Sequence, residues 1–119
     1  NLSNLELVER ILVRFPSIHL ISATRGEQGV ALARDIQPDL ILLDLHLPDI
    51  WGDEVLRRLR ADVATSKIPV IMLSADATPE QIGRLLAGGA QGYLTKPLDY
   101  REFLKMIHTC FTTADLIHV

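Results

Sequence analysis

Three side chains that could act together lie directly after three short, largely apolar runs of the sequence. They are Asp44, Ser74 and Lys96, and the runs before them read LILL, VIML and YLT. An aspartate carboxylate can attack phosphorus to form an acyl phosphate, and a nearby amine and hydroxyl can stabilise the transferred oxygens. For any one residue alone, the better explanation is that polar residues surface where strands end. A carboxylate, a hydroxyl and an amine at three successive strand ends favour a site.

Strand and helix signals alternate along the sequence around these residues. LILL and VIML are apolar at every position, which is typical of parallel strands covered by helices on both faces. Shorter strands are predicted at HLISA and GYLT. Right-handed crossovers between such units predict an α/β fold, a doubly wound three-layer α/β/α sandwich with a parallel sheet. The three polar residues would then share the carboxyl edge of the sheet, where ligands bind in such folds.

Capping signals mark the predicted helices. Capping-box spacing occurs at Ser3 with Glu6, Thr24 with Glu27, and Thr78 with Gln81. Pro79 suits the first helical position of the third of these helices, and Gly88-Gly89 ends it. The first helix is predicted to run to about Phe15. A last helix to about Phe111 is predicted behind an Asp99 cap, with apolar residues at helical spacing.

Length and composition exclude several classes of protein. With 119 residues, the chain is predicted to be one domain over residues 1–119. A net charge of −3 without a Lys/Arg-rich run argues against direct nucleic-acid or anionic-membrane binding. No apolar stretch approaches the roughly 18 residues that span a bilayer. The start does not read as a signal peptide, and the single Cys110 cannot form an internal disulfide. These features predict a cytoplasmic protein.

These residues resemble the receiver domain of two-component response regulators, and the resemblance covers roughly residues 18–111. Asp44-Leu-His-Leu-Pro48 with Gly52 resembles the family's phosphoacceptor loop. Ser74 resembles its switch hydroxyl, and Tyr93 with Lys96-Pro97 resembles its aromatic switch and lysine. The resemblance implies a flavodoxin-like, five-stranded sheet of order 2-1-3-4-5. It also implies a cis Lys96-Pro97 bond.

The resemblance implies a role in phosphorelay signal transduction. Asp44 would accept a phosphoryl group from a phosphohistidine on a histidine kinase or histidine phosphotransfer protein, with Lys96 and Ser74 contacting its oxygens. Ser74 and Tyr93 would switch a face made by the fourth helix, the GYLT strand and the last helix. That face would bind partners or form a homodimer. The protein would be a phosphoprotein carrying an aspartyl phosphate, not a conventional enzyme, apart from any catalysis of its own phosphotransfer and dephosphorylation.

The sequence departs from the family at its amino terminus. Receivers begin with an apolar strand and an acidic pair, which hold Mg²⁺ together with the phosphoacceptor, here Asp44, and a backbone carbonyl, here implied to be that of His46. This sequence begins in the predicted first helix, without the pair. Mg²⁺ binding should therefore be weak or absent, since the ion needs oxygen ligands. Asp49 and Asp76 match no family ligand position and are not expected to bind it.

The tail of the sequence, TTADLIHV, offers a way to complete the sheet. Leu116, Ile117 and Val119 read as a strand similar to the family's missing first strand. Residues 115–119 would then supply the central strand of a circularly permuted receiver, pairing in parallel between HLISA and LILL and placing Val119 near Asn1 and Asp44. The alternatives are a linker after the last helix, or a first strand supplied by another chain.

Two other functions remain open. A receiver-like interaction module that binds partners without phosphorylation becomes more favourable if the acidic pair is absent. A small flavodoxin-like cofactor binder would leave Asp44, Ser74 and Lys96 unexplained. If the phosphoacceptor interpretation is right, these three side chains should converge within a few ångströms at the carboxyl end of the sheet.

Overall fold

The computed structural model describes residues 4–75, 78–95, 99, 101–105 and 114–118. The helices are α1 (Asn4–Leu12), α2 (Gly26–Ile36), α3 (Gly52–Ala61) and α4 (Pro79–Ala87), and residues 101–105 are also helical. The strands are β1 (Ile18–Ser22), β2 (Leu40–Asp44), β3 (Val70–Ser74), β4 (Gly92–Thr95) and β5 (Ala114–His118). In this described part of the chain, no helix is long and apolar enough to cross a membrane.

The strands form one parallel sheet in the order β1-β5-β2-β3-β4. Although β5 comes last in the chain, it lies between β1 and β2, where the resemblance places a receiver's first strand. With the strands numbered as in a receiver, this is the predicted order 2-1-3-4-5, and β5 is an interior strand, the second of the five. The α/β class and the parallel five-stranded sheet are confirmed.

The tail pairs within the sheet of its own chain. Leu116 lies across from Leu20 of β1 and from Leu40 of β2, and both pairings are parallel. The prediction that the tail pairs in parallel between HLISA and LILL is confirmed, although the strand begins at Ala114, one residue earlier than expected, and β2 rather than β5 is the middle strand. Val119 and Asn1, which were predicted to lie near each other and near Asp44, are outside the described residues.

Helices cover both faces of the sheet, as the apolar strands require. Along β2, Leu40 and Leu42 belong to one buried cluster, and Ile41 and Leu43 belong to the other. The first cluster includes buried residues of α1 together with Phe103, and the second includes buried residues of α2, α3 and α4. Alternate residues of each strand thus anchor opposite layers. The two layers hold the strand ends in place at the carboxyl edge.

Helix ends follow the sequence signals in part. Thr78 caps α4 as predicted, because its hydroxyl accepts a hydrogen bond from the Gln81 backbone N–H at 3.3 Å. That helix ends at Ala87, next to the predicted glycine pair. The first helix ends at Leu12, short of the predicted Phe15. The predicted cap at Ser3 lies outside the described residues.

The predicted capping box at Thr24 and Glu27 is wrong. The residue before α2 is Arg25, whose side chain makes no capping hydrogen bond. The first two amides of the helix, those of Gly26 and Glu27, donate instead to the carboxylate of Asp49, more than 20 residues along the chain. A remote acid therefore does the work that local spacing assigned to Thr24.

Candidate functional site

Asp44 and Ser74 lie at the same edge of the sheet. Asp44 ends β2 and is half-buried, whereas Ser74 ends the neighbouring β3 and is 0% exposed. In the register of the two strands, Asp44 lies across from Leu73, so Ser74 is one residue further along. The sheet therefore places a carboxylate and a hydroxyl at the same edge, and the predicted convergence of the side chains stays a prediction. Lys96 and its bond to Pro97 lie outside the described residues.

The loop that follows Asp44 closes back on that residue. The His46 backbone N–H donates to Asp44 Oδ1 at 3.0 Å, which fixes one carboxylate oxygen. The Gly52 N–H donates to the Leu45 carbonyl at 2.8 Å, where α3 begins. The Leu45 N–H donates to the Leu73 carbonyl at 3.0 Å. Backbone hydrogen bonds on both sides thus hold the Asp44 end of β2.

The start of α3 requires a residue without a side chain. A Cβ at Gly52 would contact the Asp44 carbonyl oxygen and would lie 2.7 Å from Leu45 Cα. We therefore expect Gly52→Ala to lower the free energy of unfolding by about 1–3 kcal/mol, the usual cost of overpacking. Denaturant titration measures this change. As a control, Gly83→Ala in α4 meets nothing within 4 Å and should leave stability equal or higher.

A stable Gly52→Ala variant, unfolding at the same denaturant concentration as the wild type, would contradict this close approach of α3 to the Asp44 backbone.

Asp49 joins the same loop to the neighbouring helix. Its Oδ1 accepts from the Gly26 N–H at 2.7 Å, and its Oδ2 accepts from the Glu27 N–H at 3.0 Å. Both oxygens are engaged by backbone amides at the positive end of α2, where a carboxylate is favourable. Both carboxylate oxygens are thus used as hydrogen-bond acceptors, and the expectation that Asp49 is not a metal ligand stays a prediction.

The amide hydrogen bonds lower the pKa of Asp49 from the ordinary value of 3.8 to about 2, and the bond from Glu27 has the largest effect. Because the folded-state pKa is depressed, the stability that these bonds give is present above about pH 3.8. It is lost as the pH falls from 3.8 towards about 2. We therefore expect the stability difference between wild type and Asp49→Asn to shrink across this window.

Chemical denaturation of both proteins at several pH values measures that difference. Glu54, whose pKa is lowered to about 2 by Arg57 and Arg58, titrates in both proteins and cancels. A stability difference that stays constant as the pH falls would contradict the role given to the ionised Asp49.

Tyr93, the predicted aromatic switch, lies in β4, which pairs with β3 on the side opposite to β2. It is half-buried in β4, lies across from Met72 of β3, and packs against the cluster beneath α2, α3 and α4. Ala75, the small residue after Ser74, is exposed. The structure therefore places Tyr93 beside the strand that carries Ser74, and the switch role stays a prediction.

Candidate metal ligands are few in the part of the chain that is described. There, no group of three His, Cys, Asp or Glu side chains is placed to hold a metal ion. The oxygen donors that the resemblance implied are the Asp44 carboxylate, at the end of β2, and the carbonyl of His46, two residues further along in the loop. The exposed ring of His46 instead meets the edge of Trp51, with ring centroids 5.1 Å apart.

The roles of two residues at this edge could not be identified from the sequence. Asp49 ties the loop to α2 through a long-range contact, which leaves no local spacing signal. His118, at the end of β5, is 6% exposed, and its carbonyl accepts a hydrogen bond from the Ala23 N–H at 3.0 Å. Its burial follows from the interior position of β5, between β1 and β2. The apolar residues before it in LIHV were the sequence signal for that position.

The chain is similar to proteins whose names describe transcriptional regulators. It is 43% identical over 95 residues to the DNA-binding dual master transcriptional regulator RpaA of Synechocystis, covering 80% of this chain and 39% of the relative. It is 38% identical over 98 residues to the cell cycle transcriptional regulator CtrA of Caulobacter vibrioides, covering 82% and 42%. The chain thus spans about two-fifths of these relatives. These names do not support the prediction, made from the charge of the chain, that it has no direct contact with nucleic acid.

Solved structures with the same fold are receiver domains. The receiver domain of the sensor histidine kinase PA1611 of Pseudomonas aeruginosa, with magnesium in its active site cleft, matches with a TM-score of 0.78 at 27% identity, covering 90% of this chain and 87% of that one. A signal receiver domain of a DNA-binding response regulator from Colwellia psychrerythraea matches with a TM-score of 0.81 at 25% identity, covering 89% and 86%.

The family model of the response regulator receiver domain matches residues 1–108, and so takes in both strand ends and the loop between Asp44 and Gly52. With the sheet order and the placement of Asp44 and Ser74, this match assigns the chain to a family: it belongs to the response regulator receiver domains.

Proposed function

We propose that this receiver domain accepts a phosphoryl group on Asp44 from a phosphohistidine in a two-component phosphorelay. The observation that supports this most is the placement of Asp44 at the end of β2, half-buried, with one oxygen fixed by the His46 N–H at 3.0 Å. Ser74, which carries a hydroxyl, is the last residue of the adjacent strand. A preorganised carboxylate at a sheet edge is what nucleophilic attack on phosphorus requires.

The transfer is a displacement at phosphorus. An Asp44 carboxylate oxygen forms the new P–O bond while the N–P bond of the donor breaks. The donor imidazole leaves with that electron pair, and it is neutral when its other nitrogen carries a proton. Ser74 Oγ would donate to a phosphoryl oxygen, and Lys96 would balance its charge. The chain would accept one phosphoryl group and act as a signalling acceptor and not as a conventional enzyme, apart from any catalysis of its own phosphotransfer and dephosphorylation.

Without the family's acidic pair, Mg²⁺ would be held weakly at this edge, by the Asp44 carboxylate and the backbone carbonyl of His46. Both are oxygen donors, and Mg²⁺ commonly binds one or two carboxylates while keeping several waters. When bound, the ion would neutralise the charge that repels a phosphate from a carboxylate. The similar receiver of PA1611 has magnesium in its active site cleft. Because β5 is parallel to β2, its carboxyl end lies at the same edge of the sheet as Asp44.

The partners would be a cytoplasmic histidine kinase or histidine phosphotransfer protein, and a protein that recognises the switched face. That face would comprise α4, β4 and the last helix, and a second copy of the chain could occupy it in a homodimer. Leu86 of α4 is 45% exposed, and Tyr93 is half-buried in β4. Arrival of the phosphoryl group would draw Ser74 toward it and let Tyr93 turn inward.

Incubation with acetyl phosphate and Mg²⁺, followed by intact-mass measurement, tests the proposal. We expect the mass to rise by one phosphoryl group, with a faster rise when Mg²⁺ is present. Hydroxylamine should remove the added mass, because it cleaves acyl phosphates. A mass that never changes, in protein shown to be folded by circular dichroism, would favour the receiver-like interaction module that binds partners without phosphorylation.

A further inference from the structure

Asp49 does more than cap a helix. A local residue such as Thr24 could satisfy the first amides of α2, and the sequence spacing offers one. The structure uses instead a carboxylate from the loop 45–51, which accepts from Gly26 and Glu27 at 2.7 and 3.0 Å. Each hydrogen bond therefore restrains two segments at once. The loop that follows Asp44 becomes attached to the amino-terminal end of α2.

Close packing supports the same attachment from the helix side. Gly26 is buried, and a Cβ there would lie 2.6 Å from Ile50 Cγ1 and 2.7 Å from Val55 Cγ2. Only a residue without a side chain lets Ile50, next to Asp49, lie this close to the helix. The missing side chain at Gly26 and the carboxylate of Asp49 thus act on the same contact by different means.

The attached loop bears directly on Asp44. It begins with Leu45 and His46, and the His46 N–H holds Asp44 Oδ1 at 3.0 Å. It ends at Gly52, whose N–H is bonded to the Leu45 carbonyl at 2.8 Å. Between these two closures, the Asp49 side chain hydrogen-bonds the loop to another element, α2. A shift of the loop would therefore move the amide that orients the Asp44 carboxylate.

We propose that Asp49 is a positioning residue for phosphoryl transfer, acting through the loop to hold the Asp44 carboxylate in its reactive orientation. The inference rests on the proposed function of Asp44. Asp49 itself touches no phosphoryl group. Its removal should slow the phosphorylation of a protein that is still folded.

Asp49→Ala removes both hydrogen bonds, and Asp49→Asn keeps one acceptor oxygen. We expect the initial rate of phosphorylation by acetyl phosphate to fall by about 10-fold or more in Asp49→Ala, within the roughly 100-fold cost of a 1 Å misplacement. The rate of Asp49→Asn should lie between that of Asp49→Ala and the wild type. Gly26→Ala, which pushes Ile50 away while leaving the carboxylate intact, should slow the reaction in the same way.

Asp62→Ala provides a matched control. Asp62 also accepts from a backbone amide, that of Ala64 at 2.9 Å, and it pairs with Arg34 at 2.7 Å. It lies at the carboxyl end of α3, whereas the Asp44 loop joins the amino end. Its removal costs a comparable set of hydrogen bonds without touching the loop. The Asp62→Ala protein should phosphorylate at the wild-type rate.

The fluorescence of Trp51 gives a readout that a general loss of stability would not move. It is the single tryptophan of the chain, lies in the loop, and is 60% exposed with its ring edge-on to His46. We expect its emission to shift in Asp49→Ala and Gly26→Ala, at a temperature where circular dichroism shows all variants folded. In Asp62→Ala the emission should match the wild type.

Three results would overturn the inference. They are a wild-type rate in Asp49→Ala, an equal loss of rate in Asp62→Ala, and Trp51 emission unchanged by the loss of Asp49. Absence of phosphorylation in the wild type itself would overturn the proposed function of Asp44 and the positioning role with it. If the wild type is phosphorylated and Asp49→Ala reacts at the same rate, only the positioning role is wrong. If the wild type is not phosphorylated, the proposed function of Asp44 is wrong as well.

Discussion

Ile117→Ala should lower the free energy of unfolding by about 2–5 kcal/mol, the usual cost of truncating a buried isoleucine. Ile117 is 0% exposed and lies between Ile21 of β1 and Ile41 of β2. Because domains are stable by only about 5–15 kcal/mol, this loss would remove a large part of the total. Equilibrium denaturation in urea measures it.

Val63→Ala offers the matched control for that experiment, because Val63 is 94% exposed and its truncation should change stability little. If Ile117→Ala were as mild as Val63→Ala, the tail would not be a buried interior strand of the sheet. The alternative of a linker would then return, whereas a strand exchanged between two copies would still bury Ile117 and make its truncation equally costly. In the swapped case, the stability of the wild type would depend on protein concentration.

Asp44→Asn should abolish phosphorylation by acetyl phosphate while leaving the protein folded. The amide is close to the carboxylate in shape, and its oxygen can still accept from the His46 N–H, so the loop should keep its closure. An amide lacks the nucleophilic oxygen needed to form an acyl phosphate. Intact mass after incubation measures the product, and denaturation checks the fold.

Asp53→Asn is the control for Asp44→Asn, because it neutralises an exposed carboxylate nearby, in the first turn of α3, without removing the proposed nucleophile. It should be phosphorylated as the wild type is. Persistent addition of a phosphoryl group to Asp44→Asn would contradict the assignment of Asp44 as the acceptor. An alternative acceptor would then have to be found.

Much of the fold could be predicted from the sequence, because its strands are apolar on both faces. LILL and VIML can be buried on two sides only in a sheet covered by two layers of helices, and the structure has this arrangement. The interior position of the tail in the sheet could be predicted from LIHV, which is apolar enough to need burial. Leaving that place empty would have exposed the backbone groups of two neighbouring strands.

Long-range hydrogen bonds could not be predicted in this way. Thr24 and Glu27 have the spacing of a capping box, but the amides of α2 go to Asp49, which tertiary packing brings near. Sequence spacing reports only which local partners are available, and a charged carboxylate is a stronger acceptor than a hydroxyl. The positions of Asp44 and Ser74 at strand ends could be predicted from the sequence. The contact of Asp49 with the start of α2 could not.

Transfer of a radiolabelled phosphoryl group from a phosphorylated histidine phosphotransfer protein tests the central claim most directly. The label should pass to the receiver, and peptide mapping should place it on the segment that contains Asp44. The transfer should fail with Asp44→Asn under the same conditions. Label that never leaves the phosphohistidine of any donor tried, or label mapped to another residue, would contradict the assignment of Asp44 as the phosphoacceptor.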